Sequence, residues 1–317
     1  MQIKQKLDYP IWKTPYFCIV GLFVFVKLVK AGALTLLINK QFFNKKINLT
    51  LKFFNFIFYI ENKEEIGKKL LSCLIDLGPG YIKFGQALST RPDLVDKKTC
   101  QYLKKLQDDI EPFSSSIAKK IIETESQNLI DNIFSSFDEK PIANASVAQV
   151  HTAILKSGET VAVKLLKPNI KRKLFNDFIF FYWTSKCLEI AIPSIKRLKL
   201  SKNVEVLSEV SLNELDLTLE ASAAEELSEN FKDNPNYKVP KIYWELTSKN
   251  MLVLEYIKGI RIDDIDALKK ANHNIKKITE IGTEVFFLQV FRDGFFHGDM
   301  HPGNILINPK GVLVPID

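Results

Sequence analysis

The stretch FFHGDMHPGNILINPKGVLVPID, residues 295–317, is the most informative part of the sequence because it joins a polar loop to a predicted strand hairpin. Asp299 precedes Asn304 by five residues, which is the spacing of a phosphoryl-transfer catalytic loop. In such a loop the aspartate accepts or orients the proton of the nucleophile, and the asparagine holds Mg²⁺. The apolar segment after Asn304 predicts a hairpin turned at residues 308–311, which delivers Asp317 as a second metal ligand.

The composition predicts a folded protein of two or three compact units. The chain has 317 residues, of which 46% are hydrophobic, and this is enough to bury one large core or two smaller ones. The net charge of +7 permits attraction to anionic lipid or nucleic acid. However, the sequence has no Cys/His finger and no aromatic-basic RNA-binding signature, so nucleic acid is not a predicted partner.

The four cysteines indicate a reducing compartment. They are far apart in the sequence, and no pair has the spacing of metal ligands or of a disulfide framework. They are Cys18, Cys73, Cys100 and Cys187.

The N-terminal region contains two very apolar stretches. Residues 16–38 approach the length of a membrane span, but Lys27 and Lys30 lie in the middle, where each charge costs about 2.5–3.5 kcal/mol. The segment also lacks a cleavage site for a secretory signal. We therefore predict an interfacial or packed amphipathic helix, with a membrane span as the alternative. Residues 49–60 add a second apolar, aromatic stretch, and the two stretches either contact a membrane surface or pack on the rest of the protein.

Four segments follow one another in the predicted organisation. An apolar helical leader covers residues 1–62, and a segment with apolar residues at helical spacing covers 63–125. Residues 126–258 hold the predicted strands and a helical insertion, and residues 259–317 begin a helical lobe. The strands are predicted within 140–168 and at 238–246 and 250–260.

Lys164 lies in the apolar strand TVAVKLL and needs an anionic partner if it is buried. Glu214, Asp216 and Glu220 lie on one predicted helical stretch, and Glu220 is the preferred partner. The alternatives are an edge-strand lysine that faces water and an ordinary acidic helix face.

The hairpin before Lys164 has alanine and serine where a nucleotide-binding loop usually has glycine. Residues 143–146 read Ala-Asn-Ala-Ser. Small side chains permit close approach of a ligand to the backbone, but alanine lacks the freedom of glycine at positive φ. An ordinary turn is the alternative interpretation.

Four motifs together resemble the UbiB-type family of atypical kinases. GPGYIKFGQALSTRPDL resembles the KxGQ signature of that family, carried by Lys83, Gly85 and Gln86. PIANASVAQVH is similar to its alanine-rich loop, ELDLTLE to its acidic helix, and FFHGDMHPGNILI to its catalytic loop. Aminoglycoside and choline phosphotransferases share a similar HGDxHPGN loop, but the KxGQ motif and the alanine-rich loop separate this family from them.

The resemblance implies an α+β, kinase-like fold with a β-rich N-lobe, a helical lobe and an N-terminal helical KxGQ extension. It also implies ATP and Mg²⁺ as cofactors and support of ubiquinone biosynthesis, historically at 2-polyprenylphenol hydroxylation. The implied location is the cytoplasmic face of the bacterial inner membrane. The implied partners are membrane lipid or polyprenyl-phenol intermediates and other ubiquinone-biosynthesis proteins.

The resemblance also implies a role for each motif residue. Asp299 is the catalytic acid/base, and Asn304 and Asp317 are the Mg²⁺ ligands. Lys164 binds the α- and β-phosphates and Glu220 pairs with it, while Lys83 reaches into the site with Glu214 and Asp216 as partners. The nucleotide-binding residues further include Gln86 and the loop residues Ile142, Ala143, Asn144, Ala145, Ser146, Val147, Ala148, Gln149 and Val150.

Two departures from the family pattern qualify this prediction. Asn144 stands where the family usually has a smaller residue, and nucleotide binding is expected to tolerate it. The sequence ends at Asp317, before the Phe-Gly and the C-terminal lobe that the family pattern places there. This pattern predicts an incomplete C-lobe. The hypothesis that follows is that the chain is a truncated product. In that case an apolar surface over residues 273–291 would be uncovered.

Three functions follow as alternatives. The first is an ATP- and Mg²⁺-binding kinase or ATPase, and the second is a catalytically dead nucleotide- or lipid-binding module or decaying gene fragment. The third is a small-molecule phosphotransferase, which the KxGQ segment disfavours.

Overall fold

The computed structural model describes residues 14–37, 63–107, 112–298 and 302–316, together with a few isolated residues between 45 and 53. The chain forms two compact units. The first comprises residues 1–112, 143–148 and 166–215, and the second comprises residues 113–142, 149–165 and 216–317. The four segments predicted from the sequence stay a prediction.

The first unit is mostly helical in its described part. Its core joins Phe17 and Val24 to Leu74, Tyr81 and Phe180, because each helix turns an apolar stripe toward the others. Gly78 separates two successive helices and Pro79 begins the second, at the Gly-Pro-Gly break that the sequence predicts. The helices are α1 (Thr14–Lys30), α2 (Ala33–Leu37), α3 (Lys63–Leu77), α4 (Pro79–Ser89), α5 (Lys97–Leu103), α8 (Ile170–Ala191) and α9 (Leu200–Asn213).

Helix α1 is apolar on two faces. Phe17, Val24 and Val29 are buried, whereas Ile19 is 71% exposed and Phe23 is 58% exposed. Within the described residues, no helix is long and apolar enough to cross a membrane. The first apolar stretch is helical, and α1 packs on the first unit through its buried side chains. Contact of its exposed side with a membrane stays a prediction. The second stretch, residues 49–60, lies almost entirely outside the described residues.

An antiparallel-paired sheet forms the core of the second unit. The strand order is β1-β3-β4-β5, where β1 pairs with β3 and β4 pairs with β5 in antiparallel register. Val163 and Leu165 are fully buried against Met251 and Val253, and alternation along β4 therefore turns Lys164 to the opposite face. The strands are β1 (Phe134–Phe137), β2 (Ala143–Asn144), which belongs to the first unit, β3 (Ala148–Leu155), β4 (Thr160–Leu166) and β5 (Met251–Glu255).

Helices and a second, three-stranded sheet complete the second unit. Leu227, Ile281, Val285 and Ile307 share one buried cluster. The predicted hairpin is present, since β7 pairs antiparallel with β8. The elements are α6 (Ser115–Ser126), α7 (Ile130–Ile133), α10 (Leu217–Asn230), β6 (Ile260–Arg261), α11 (Ile265–Lys270), α12 (Ile275–Phe287), a π-helix (Leu288–Asp293), β7 (Ile305–Ile307) and β8 (Leu313–Pro315).

Two predictions about local structure are wrong. Glu214, Asp216 and Glu220 do not lie on one helix, because α9 ends at Asn213 and Asp216 is the N-cap of α10, where its carboxylate accepts the Thr218 N–H at 3.2 Å. Residues 238–246 do not form a strand. Pro240 lacks an N–H for a ladder, and the segment makes an isolated bridge from Ile242 to Leu254 followed by a 3₁₀ turn.

Candidate active site

A bidentate ion pair joins β4 to α10. Lys164 Nζ donates to both carboxylate oxygens of Glu220, at 2.8 and 2.9 Å. The lysine side chain is 11% exposed and the glutamate side chain 31%, so both charges are shielded from water and each needs the other. The position of Glu220 follows from the N-cap at Asp216, because a helix that begins at Leu217 brings Glu220 into its first turn.

A cavity of about 220 Å³ lies beside this pair. Most of its lining is apolar and includes Leu254 and Phe295. Glu220 reaches it from α10, and His297 and Gly298 reach it from the start of the catalytic loop. An apolar cavity with a few polar side chains is the usual form of a small-molecule site.

The catalytic loop is held from both sides. The His297 N–H donates to Gln289 Oε1 at 2.8 Å, and Gln289 is itself fully buried in the π-helix. On the other side, the Ile316 N–H donates to the Asn304 carbonyl at 2.9 Å. The hairpin therefore brings Asn304 next to the residue that precedes Asp317. Asp299 and Asp317, the predicted catalytic residue and second metal ligand, lie outside the described residues.

The donor set fits a hard divalent cation. Amide and carboxylate oxygens are ligands that Mg²⁺ accepts in proteins. Of the predicted ligands, the structure describes Asn304, whose carbonyl accepts the Ile316 N–H at the end of the hairpin. Among the described residues, no group of three or more His, Cys, Asp or Glu side chains could hold a metal ion. Asp317, the aspartate among the predicted Mg²⁺ ligands, is outside the described residues.

The alanine-rich loop has a tight backbone and a buried amide. Within the first unit, the Ala145 N–H donates to the Ala148 carbonyl, and the Lys167 N–H donates to the Val147 carbonyl, both at 2.8 Å. In the described part of the chain, both polar atoms of the Asn144 amide are buried without a hydrogen-bond partner. A polar group in that state is costly unless something satisfies it.

Gln149 has a structural contact that sequence reasoning did not predict. Its Oε1 accepts the Phe113 N–H at 3.0 Å, and its Nε2 lies 2.8 Å from His151 Nε2. His151 is fully buried with Nδ1 2.9 Å from the Asp138 carbonyl, and burial lowers the pKa of the imidazole. The buried network fixes the strand that follows the loop. The AQVH tetrapeptide was the available signal, because two polar residues alternate with apolar residues there.

Lys83 forms an ion pair with Glu214, within the first unit. The Lys83 side chain is 12% exposed, and Glu214 follows the last residue of α9. Gln86 donates to the Leu106 carbonyl at 2.9 Å, inside the helical extension. Asp216 caps α10 and lies 3.6 Å from Lys249 Nζ. The nucleotide-binding roles of these residues stay predictions.

Comparison with known proteins agrees with this architecture. The ABC1 atypical kinase-like domain matches residues 105–317, and the chain therefore belongs to that family of kinase-like proteins. A relative described as probable protein kinase UbiB from Aliivibrio fischeri is 43% identical over 257 residues, which is 80% of this chain and 47% of the relative. A relative with the same description from Shewanella sp. (strain MR-4) is 43% identical over 258 residues, with the same coverage of both chains. The chain thus spans about half the length of these relatives.

A solved structure supports the same fold. Rv3197 from Mycobacterium tuberculosis, solved in complex with erythromycin, is 27% identical with a TM-score of 0.52, and the match covers 86% of this chain and 66% of that one. The predicted resemblance to the UbiB-type family is confirmed, and so is the α+β kinase-like fold.

Proposed function

We propose that this chain forms the ATP- and Mg²⁺-binding part of a UbiB-type atypical kinase or ATPase. The observation that carries the proposal is the Lys164–Glu220 ion pair, which lies beside a cavity that the first residues of the catalytic loop also line. Kinase-like sites need such a pair, since the lysine that meets the phosphates must be held by a helix glutamate.

Each residue then has a role. Lys164 binds the α- and β-phosphates, and Glu220 holds its ammonium in place. Asp299 accepts the proton of the attacking hydroxyl or water. Asn304 and Asp317 hold Mg²⁺, which when bound neutralises charge that develops on the phosphates. The loop from Ile142 to Val150 covers the nucleotide. The remaining residues of the KxGQ extension and the acidic motif contribute to nucleotide binding; they are Lys83, Gln86, Glu214 and Asp216.

The test is Mg²⁺-dependent release of phosphate from ATP. Lys164→Ala and Asp299→Asn should each reduce kcat/KM by about 100-fold or more, because each removes charge stabilisation or proton transfer in the transition state. Lys238→Ala is the matched control, since Lys238 also pairs with a glutamate in the second unit but is 46% exposed.

The outcomes separate the alternative functions. ATP binding without any hydrolysis would replace the enzyme with a nucleotide-binding module. Phosphate that appears on an added small alcohol, and not in solution, would favour a small-molecule phosphotransferase.

The biological role we propose is support of ubiquinone biosynthesis, with membrane lipid or polyprenyl-phenol intermediates and other ubiquinone-biosynthesis proteins as partners. The proposal rests on the similarity to UbiB-named relatives. A bacterial strain that lacks its own UbiB-type protein should recover ubiquinone when it expresses this chain, and the Asp299→Asn variant should not restore it. Equal ubiquinone content with both proteins would contradict a catalytic role.

The membrane contact we propose is peripheral, at the cytoplasmic face of the inner membrane. The outer face of α1 exposes Ile19 and Phe23, and Lys27 lies over the Phe23 ring at 5.0 Å. An apolar face flanked by lysines is typical of an interfacial helix on anionic lipid. Flotation with phosphatidylglycerol vesicles should fail for Ile19→Glu/Phe23→Glu and persist for Ile190→Glu, which changes an 81% exposed isoleucine on α8.

A further inference from the structure

Helix α4, which carries the KxGQ motif, begins without a capping side chain of its own. Its N-cap is Gly78, with φ of 116°, and Pro79 occupies the first helical position. The first turn of any helix leaves backbone N–H groups without intrahelical acceptors. In most helices a Ser, Thr, Asp or Asn at the N-cap accepts one of them, and a glycine cannot.

Asp177 supplies the missing acceptor from α8. The Gly80 N–H donates to Asp177 Oδ2 at 3.0 Å, across 97 residues of sequence. Gly80 is the second residue of α4, where a local N-cap side chain would accept. A Cβ added at Gly80 would lie 2.7 Å from Asp177 Oδ2, so this approach of carboxylate to backbone needs a glycine.

The same face of α8 holds the next residues of α4. One turn after Asp177, the Phe181 ring meets the Tyr81 ring edge-on at 4.7 Å, and its centroid lies 6.0 Å from that of Phe84. Lys83 lies between these two aromatic residues and forms the ion pair with Glu214. The face of α8 that carries Asp177 and Phe181 therefore contacts both the start of α4 and the aromatic residues on either side of Lys83.

We propose that Asp177 is a positioning residue, which fixes the first turn of α4 and so sets Lys83 against Glu214. The inference rests on the proposed function only in taking Lys83 as a residue of the active site. The geometry of the helix and the ion pair does not depend on it.

Asp177 is held in a partly buried environment that disfavours its charged form. Burial raises the pKa of its carboxyl to about 6, against the lowering effects of the Gly80 N–H and of Lys173, one turn earlier on α8. The Tyr81 phenol is the other titratable group that faces it, and its pKa is raised by burial and then by Asp177. A charged group in this environment costs stability, so the position is not explained by packing alone.

The test measures how readily Lys83 reacts with an amine reagent. Reductive methylation with formaldehyde and cyanoborohydride, followed by mass spectrometry, reports the rate at Lys83 and at Lys164 in the same sample. Asp177→Ala should raise the Lys83 rate by about twofold to tenfold, the effect expected when one hydrogen bond that fixes the helix is lost. Asp177→Asn, which keeps an acceptor oxygen in place, should leave the Lys83 rate at the wild-type value.

Lys164 distinguishes local positioning from general loss of structure. A general effect would raise both lysine rates together, and this result, or an unchanged Lys83 rate in folded Asp177→Ala, would overturn the proposal. If Asp177→Ala does not fold, Asp177→Glu takes its place, because the extra methylene displaces the acceptor. A raised Lys83 rate in the Glu variant and not in the Asn variant supports the proposal, and equal rates overturn it.

An activity measurement connects the residue to the site. If the chain hydrolyses ATP, Asp177→Ala and Lys83→Ala should change kcat/KM by similar factors, and the double variant should show no further change. Additive changes would overturn the link through Lys83. If the chain does not hydrolyse ATP, the proposed function fails while the labelling result still decides the role of Asp177.

Discussion

Two lysine–glutamate ion pairs, one in each compact unit, are held in place by different means. Lys164 lies in the middle of β4, where its backbone pairs in register with Leu252 of β5. Lys83 lies on α4, where the start of the helix depends on a side chain from α8. The lysines are almost equally shielded, at 11% and 12% side-chain exposure.

The two ion pairs should therefore be sensitive to different kinds of substitution. A strand in a sheet is fixed by backbone hydrogen bonds on both sides, and few side-chain substitutions displace it. A helix that begins at glycine and proline depends on one long-range acceptor. We therefore expect the position of the Lys164 side chain to change mainly when its partner Glu220 is substituted. The position of the Lys83 side chain should also change when residues that do not contact it are substituted.

The largest effect should come from breaking the strand pair. Glu220→Ala leaves the shielded Lys164 ammonium without its bidentate partner, and we expect kcat/KM for ATP hydrolysis to fall by about 100-fold. Glu214→Ala should cost less, because Glu214 is 41% exposed and water can replace it beside Lys83. Steady-state kinetics of both variants check this order, and the reverse order would contradict it.

The next effect should come from Gly80→Ala, which touches neither ion pair. The added Cβ meets the Asp177 side chain, and overpacking of this kind should lower the free energy of unfolding by about 2 kcal/mol. Gly21→Ala on α1 is the matched control, since its Cβ would make an ordinary 3.8 Å contact with Phe180. The control should be neutral or gain up to about 1 kcal/mol. Urea unfolding measures both, and equal losses would rule out the clash.

Asp177→Asn should show a stability gain that depends on pH. The pKa of the Asp177 carboxyl is about 6 in the folded protein against an ordinary value of 3.8. The folded state therefore holds its proton more tightly, and the wild type loses stability as the pH rises from 4 through 6. An amide does not titrate, so the advantage of Asn over Asp should grow by at most about 3 kcal/mol between pH 4 and pH 7.

Urea midpoints at the two pH values measure this advantage. Asp266→Asn, at an exposed carboxyl in α11, is the control. If the difference in unfolding free energy between the Asn variant and the wild type were the same at both pH values, the charge on Asp177 would not destabilise the folded protein.

The smallest effect should come from a surface pair. Lys238 and Glu255 are 46% and 30% exposed, and Lys238→Ala should change the free energy of unfolding by less than about 1 kcal/mol. The change should shrink further in 0.5 M salt, because exposed charges are screened. If Lys238→Ala lowered the free energy of unfolding as much as Gly80→Ala does, the solvent exposure of an ion pair would not predict its contribution to stability.

Several features of the site were predictable because they depend on short-range patterns. The strand around Lys164 follows from its apolar neighbours, and the closing hairpin follows from the turn residues at 308–311. The partner of Lys164 was predictable as one of the three acids at 214–220, although the sequence suggested one continuous helix where α9 ends and α10 begins. The Asp216 carboxylate accepts the Thr218 N–H, as an N-cap residue does, and α10 therefore begins at Leu217.

Other features were not predictable because the two partners belong to different elements of the fold. Nothing local marks Gln289 as the acceptor for the His297 N–H, or Gln149 as the acceptor for the Phe113 N–H. Each is a polar residue in an apolar segment, and its partner is known only when the elements are packed.

The motifs, their order and the class of fold can be read from the sequence alone, because hydrophobic period, glycine and proline positions and acid–amide spacing are local properties of the chain. Which charged groups form pairs, and which residues hold them in place, depends on how the elements pack. Lys164 could pair with any of three acids until α10 was placed by its cap, and Gly80 is an ordinary helix glycine until Asp177 approaches it. The physical reason is that hydrogen bonds and ion pairs act over a few ångströms of space, whatever the separation along the chain.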